Sequence, residues 1–252
     1  MRIAIVGVGR LGSVLARVLS RNHEVLLIDR DYRDALAVAS PIGAQAVKDL
    51  AAARTTDIAI VAVKPQHVEE VVRQIKDSPM LVSCAAGIPI GKLESWGAKN
   101  VVRIMPNICA GAGEAVIAYA LHQEMEKKER FFLGVFSSAG ICIRAEESHL
   151  DTITAVSGSG PAFVAFFAAA MIEEAARNGL EREVAEKIVA QTFLGTGKLM
   201  RKGWSTGKII EAVATPGGTA AEGLKALGRK KAGLAMREAV RKAFGRARKL
   251  GD

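Results

Sequence analysis

An α/β domain built on a parallel sheet, followed by an all-α domain, is the fold class that the 252-residue sequence predicts. Three observations carry it. Up to about residue 145, short apolar runs alternate with helix-period stretches, the pattern of strands joined by covering helices. Some of those runs, IAIV at 3–6 and IAIVAV at 58–63, are apolar throughout, so both faces of such strands must be buried. After about His149 the strand pattern stops and only helix-period segments follow.

Taken in order, the expected strands are Arg2–Val6, Glu24–Ile28, Asp57–Val63, Met80–Cys84, Val101–Met105, Ala115–Ala120 and Ile141–Ile143, with a helix over Arg10–Ser20. The domains are expected at 1–148 and 149–252, with no Gly/Ser linker between them. Breaks in the helical half are expected at SGSGP, at Asn178–Gly179, at Lys202–Trp204 and at VATPGGTAAEGL. Residues Ala162 to Ile172 read AFVAFFAAAMI, hydrophobic on every side, and such a helix must be buried all round. The helical half barely provides enough interior to do this alone, so a partner copy is expected to complete the burial; the alternative is a monomer with this helix sandwiched between its own domains. The run falls short of the ~20 residues that span a bilayer, so no membrane is expected among the partners.

The formal charge of +9 raises nucleic acid as a partner. However, the basic residues from Arg229 to Lys249 flank Met236, Val240, Phe244 and Ala247 at helical spacing. That is an amphipathic helix whose basic face carries no stacking platforms, so nucleic acid is not expected. Cys84, Cys109 and Cys142 are few, odd in number and widely spaced. They point to reduced thiols, a cytoplasmic location and no metal site. The opening MRIAIVGVGRLG runs straight into a strand, so no signal or transit peptide is expected.

Gly7, Gly9 and Gly12 form a G-x-G-x-x-G fingerprint between the first strand and its helix. The first glycine permits the turn, the second lets a pyrophosphate approach, and the third lets helix pack on strand. Asp29 ends the second strand at the ~20-residue spacing expected of a ribose ligand. These features predict a Rossmann domain binding a nicotinamide dinucleotide. Asp29 favours NAD(H), whereas Arg30 and Arg33 could pair with a 2′-phosphate and favour NADP(H). Both remain open. Lys64, held extended before Pro65, falls at the carboxyl edge of the sheet, as do Cys84-Ala85-Ala86-Gly87 and Met105-Pro106-Asn107.

In their order and spacing, GVGRLG, VAVKPQ, SCAAGI, RIMPN, VSGSGPAF and VATPGGTAAEGL resemble pyrroline-5-carboxylate reductase. The resemblance spans essentially the whole chain. It implies NAD(P)H-dependent reduction of a cyclic imine to L-proline, and a helical domain that dimerises by interlocking, with decamers in several members. By the same resemblance Gly7, Gly9, Arg10, Leu11 and Gly12 would hold the pyrophosphate. Val63, Lys64 and Pro65 would line the cleft, and Ala86, Gly87 and Asn107 would lie towards the nicotinamide. Gln45 would contact the adenosine side. A partner chain's Thr215, Gly217, Gly218, Thr219 and Ala220 would wrap the substrate, with the N–H groups of Gly217, Gly218 and Thr219 on its carboxylate.

The alternative is a β-hydroxyacid dehydrogenase, which reduces a carbonyl and resembles its relatives in a lysine early in the interdomain helix. Here GSGPAFVAFFAAAMI carries no Lys or His. A protonated imine needs no such acid. Ser159 is expected to cap that helix and Pro161 to lie in its first turn. Ala220 departs from the family, where a second hydroxyl follows Thr219, so a related six-membered cyclic imine is also open as substrate.

Overall fold

The computed structural model describes residues 1–250. The chain forms two compact units, Met1–Pro161 joined by the stretch from Arg241 onward, and Ala162–Val240. In the first unit an eight-stranded sheet is laid out as β3-β2-β1-β4-β5-β6-β7-β8. The strands are β1 Arg2–Val6, β2 Glu24–Ile28, β3 Gln45–Ala46, β4 Ile58–Val61, β5 Leu81–Ser83, β6 Val101–Met105, β7 Ala115–Leu121 and β8 Gly140–Arg144. β1 to β6 run parallel. β7 is antiparallel to β6, and β8 is parallel to β7.

Residues alternate strictly between the two faces of this sheet. Ile3 and Ile5 enter one apolar cluster, with Leu15, Leu19, Phe132 and Phe136. These side chains come from α1 (Arg10–Leu19) and α5 (Glu129–Phe136), while α2 (Tyr32–Ala39) adds Ala35 and Ala39. Ala4 and Val6 enter the other cluster, under α3 (Val68–Ile75), α4 (Ile90–Ser95) and Leu150 of α6 (Leu150–Ile153). The period of two in the strands meets the period of 3.6 in the helices, giving three layers. At the outer margin, a Cβ on Gly140 would overlap the backbone of Ala115 on β7.

The expected strand over Asp57–Val63 is shorter, because the chain leaves the ladder after Val61 to form a turn. The two-residue β3 escaped the sequence pattern, being too short to show a period. Arg103 on β6 is only 4 % exposed and pairs with Glu147 at 3.1 Å and Asp151 at 3.4 Å. Glu147 Oε1 also accepts the Ile90 N–H at 2.7 Å, so one carboxylate ties β6, α4 and the approach to α6 together.

At SGSGP the helical run is interrupted only by a bend at Ser159, between Gly158 and the start of the next helix at Gly160. A π turn over Thr154–Gly158 carries the helix on, with the Ser159 N–H donating to Thr154 O five residues back. Ser159 therefore has helical backbone angles and is not an N-cap, and its hydroxyl donates to the same carbonyl at 3.5 Å. The helical stretch Glu147–Arg177 has a mean hydropathy of 1.7 over its most apolar window, long and apolar enough to cross a membrane by length and composition. Only 6 % of that window is buried.

The second unit holds most of α7 (Gly160–Arg177), then α8 (Arg182–Arg201), α9 (Thr206–Val213), α10 (Thr219–Arg229) and the start of α11 (Ala232–Arg248). The breaks at 178–179, 202–204 and 214–218 fall where they were expected. Burial of Ala162–Ile172 within the chain is not found. Among its residues Phe166 is 72 % exposed and Val164 48 %. The apolar surface is real, and nothing among the described residues covers it.

Candidate active site

The order of strands sets the place of the site. From β1 the chain goes to β2 and β3 on one side, then returns to β4 on the other. A crevice opens at the carboxyl ends of β1 and β4, where open α/β sheets bind ligands. Two turns wall it, one over Gly7–Gly9 and the other over Ala62–Lys64. Gly7 has φ +98° and donates its N–H to Ile28 O at 2.8 Å. A Cβ there would lie 2.8 Å from the Ala62 carbonyl carbon, and one on Gly12 would collide with Gly7 O. Both glycines are demanded by the chain itself.

Gly9 differs from its neighbours. A Cβ built on it meets nothing within 4 Å, so the chain's own packing does not exclude a side chain there. The position is exposed and caps α1 without any side-chain hydrogen bond, and the first turn of α1 holds no acidic residue. The N–H groups at that helix end are thus open to an anion. An open cradle above an uncapped helix start fits the pyrophosphate of a dinucleotide.

A cavity of about 410 Å³ extends from this cradle, and Gly7, Gly9, Asp29, Arg30, Val63 and Lys64 all line it. Of the other expected cofactor residues, Arg10 is exposed on the first turn of α1, and Leu11 packs on the core below. Gln45 is exposed on β3. Pro65 opens a short turn for which Lys64, at ψ 150°, is the extended lead-in. Ala86 and Gly87 follow β5, Ala86 packing against the core. None of these lines the cavity. The sequence reading missed Lys48, His67, Glu70 and Gln74, which do. They carry no motif, and Lys48 follows the strand that was itself too short to read.

Asp29 has a second occupation. Its Oδ2 accepts the Val8 N–H at 2.8 Å and its Oδ1 accepts the Asp31 N–H at 3.2 Å, bracing the glycine turn against the end of β2. Asn107 is likewise committed. It is buried after β6, where its amide donates to Ser157 O at 3.1 Å and Ser157 Oγ at 3.0 Å and its Oδ1 accepts the Cys109 N–H. It therefore pins the π turn to the sheet edge. Complete burial pushes the Cys84 thiol up to about 12, which removes thiolate chemistry from this edge.

A wider cavity of about 890 Å³ lies beside α4 and the end of β7, with Glu94, His122, Arg144 and Glu147 on its walls. Its basic side chains lie against acids, His122 against Glu94 at 3.3 Å and Arg144 against Glu126 at 2.7 Å. It holds none of the sequence-predicted site residues. Among the described residues no cluster of His, Cys, Asp or Glu could hold a metal ion.

In the second unit, residues 214–218 make the tight turn between α9 and α10. Gly217 has φ +74°, and a Cβ on Gly218 would approach Thr215 Oγ1 to 2.6 Å. The Gly218 N–H is already donated to Thr215 O at 2.9 Å. Of the three N–H groups expected on a carboxylate, that one is spent inside the turn. The N–H groups of Gly217 and Thr219 take no part in it and stand at the uncapped start of α10. Ala220 is half-buried behind them.

Residues 147–250 match the family described as pyrroline-5-carboxylate reductase dimerisation, and residues 2–87 match NADP oxidoreductase, coenzyme F420-dependent. The chain is 31% identical to the pyrroline-5-carboxylate reductase of Aquifex aeolicus, covering 99% of this chain and 97% of that one. It is also 31% identical to that of Methanosarcina acetivorans, covering 99% and 98%. Among solved structures, the Plasmodium falciparum pyrroline carboxylate reductase with NADP bound superposes with a TM-score of 0.90 at 27% identity, covering 100% and 98%. With a cradle for a dinucleotide at one end, a dimerisation region at the other and such likeness throughout, the chain belongs to the pyrroline-5-carboxylate reductase family.

Proposed function

We propose that this chain reduces the cyclic imine 1-pyrroline-5-carboxylate to L-proline with NAD(P)H, the last step of proline biosynthesis. The observation that carries the reading is the open cradle at Gly9 in a chain similar along its whole length to such reductases. A nicotinamide cofactor, when bound, supplies hydride to the imine carbon. The chain's own work is then to bind and orient. Gly7, Gly9, Arg10, Leu11 and Gly12 hold the pyrophosphate, with Val63, Lys64 and Pro65 along the cleft and Ala86, Gly87 and Asn107 towards the nicotinamide. Gln45 and Asp29 serve the adenosine side.

The substrate carboxylate is held by the Gly217 and Thr219 N–H groups of a partner chain, at the positive end of α10, with Thr215, Gly218 and Ala220 shaping the turn. An imine is basic enough to arrive protonated, so α7 needs neither Lys nor His, and it has none. Orientation is the main contribution to the rate. Residues 149–252 form the dimerisation and substrate domain, and the exposed apolar face of α7 is what a second copy covers. Assembly of dimers into decamers, and a cytoplasmic location, belong to the same reading.

The direct test is oxidation of NADH and NADPH by the purified protein given pyrroline-5-carboxylate. Turnover is expected with at least one of them. No turnover with either, alongside activity on a 3-hydroxy acid, would sink the reading in favour of a hydroxyacid dehydrogenase. Ala220 favours a second reading, because its methyl offers no hydroxyl to the ring nitrogen. A six-membered cyclic imine is then the better substrate, and a higher kcat/KM with that ring decides for it.

A further inference from the structure

The loop after β5, residues 84–89, leaves the sheet at its carboxyl edge and runs into α4. Its first residue is held to the neighbouring strand, the Cys84 N–H donating to Val61 O on β4 at 2.9 Å. Beyond it the backbone turns through Gly87 at φ +78°. Among the described residues the N–H groups of Ala86, Gly87 and Ile88 take no partner, so this turn rests on its two ends. The first N–H groups of a helix need an acceptor, yet Pro89 stands at the N-cap of α4 and offers no side-chain acceptor. The Ile90 N–H finds its acceptor 57 residues on, in Glu147 Oε1 at 2.7 Å. We propose that Glu147 is a positioning residue of the reaction: held by Arg103, it fixes through the Ile90 N–H where the Ala86–Gly87 turn stands against the nicotinamide ring. The inference rests on the reading of this chain as a nicotinamide-dependent imine reductase and deepens it at one residue.

Three contacts make this carboxylate a fixed point. The oxygen that accepts the Ile90 N–H also accepts from Arg103 Nη1 at 3.1 Å. Arg103 is buried on β6, and its Nη2 donates to Asp151 Oδ1 at 3.4 Å. A guanidinium so enclosed cannot leave its acids without stranding its charge, so neither Arg103 nor Glu147 is free to swing. Arg103 itself stands beside Ser83 in the parallel ladder, one residue before the loop begins, so one strand position serves both ends of the loop. The negative charge also suits the start of α4, where the helix end is positive. A reacting group displaced by about 1 Å can lose about 100-fold in rate. A tether remote from the chemistry therefore acts on the rate of hydride transfer while leaving the adenosine end of the cofactor untouched.

Three measurements on the whole protein test this: single-turnover reduction of pyrroline-5-carboxylate with the cofactor the parent uses, the fluorescence of the bound reduced nicotinamide, and calorimetric binding of ADP-ribose, which lacks the nicotinamide ring. Glu147→Ala should slow hydride transfer by about 10- to 100-fold and lose most of the fluorescence change on binding, while ADP-ribose binds as before. Ile90→Pro removes only the N–H, at a first helical position where proline is tolerated. It should slow transfer likewise, and it reads the same contact if Glu147→Ala does not fold. Glu147→Gln keeps an oxygen for the Ile90 N–H, and Asp151→Asn weakens the hold on Arg103 without touching Ile90. Both should lower Tm yet stay within about threefold of the parent rate, since neutral hydrogen bonds keep about half the strength of charge-assisted ones. If Asp151→Asn slows transfer as much as Glu147→Ala, in step with Tm, the cluster is a structural brace and the inference fails. It fails too if Glu147→Ala or Ile90→Pro works at the parent rate, and in both cases the reductase reading stands. If the parent protein reduces no imine with either cofactor, the reading fails and takes the inference with it.

Discussion

The two units of this chain solve the burial of apolar residues in opposite ways. In the sheet unit Ile3, Ile5, Leu15, Ile60, Phe132 and Phe136 are wholly inaccessible to solvent. In the helical unit α7 has no buried residue at all, and Phe166, Ile188, Leu194 and Met200 stand exposed on α7 and α8. Fully burying a side chain of that size contributes about 1.5–3 kcal/mol. The first unit obtains this from its own chain. The second lacks it among the described residues, as a stretch that matches a dimerisation family should when seen alone. A helix that passes the membrane test on length and composition lies here within the stretch that matches a dimerisation family.

Phe166→Asp should break this contrast most severely. It should convert the oligomer to monomer in light scattering and remove essentially all turnover, because a substrate loop supplied by a partner would be lost; a fully active oligomer would refute the comparison. Phe132→Ala acts on the self-sufficient unit. It should cost about 3–5 kcal/mol and lower Tm at every protein concentration by a similar amount, whereas the parent Tm should itself rise with concentration. Gly9→Val should weaken dinucleotide binding by about 100-fold in calorimetry with Tm unchanged, since no atom of the chain fills that space. A falling Tm would show that Gly9 serves packing after all. Asn107→Ala should cost about 1–2 kcal/mol by releasing its bonds to Ser157 and Cys109, read in chemical denaturation. Arg33→Ala, at a side chain 88% exposed, should leave Tm and the NADP⁺/NAD⁺ affinity ratio where they were.

Much of this was readable from local pattern. The glycine turn announces itself because a steric constraint within it is local, Gly12 against Gly7, even though Gly7 is also crowded by the distant Ala62. The fully apolar strands were equally plain, since period and burial are written in the same residues. Other features depend on partners distant in sequence. No spacing shows that Asp29 is engaged by Val8, that Asn107 reaches Ser157, or that Lys48 comes to the β2 end. SGSGP reads as a break because Gly and Pro usually punctuate helices. Here Pro161 falls in the first turn of α7, where its missing N–H costs nothing, and the π turn absorbs the rest. The reversal of β7 was also hidden, because a strand's direction leaves no mark on its composition.

Gly140 offers an independent handle on the molecule. Any side chain there must displace the neighbouring strand, because Ala115 already fills the space. Substitution at that point would peel the last strand from the margin of the sheet and loosen α5 behind it, while the cradle at Gly9 follows β1, five places away in the strand order. A Gly140→Val protein would therefore fray from one border while still gripping its dinucleotide, and hydrogen exchange would see the unravelling begin there.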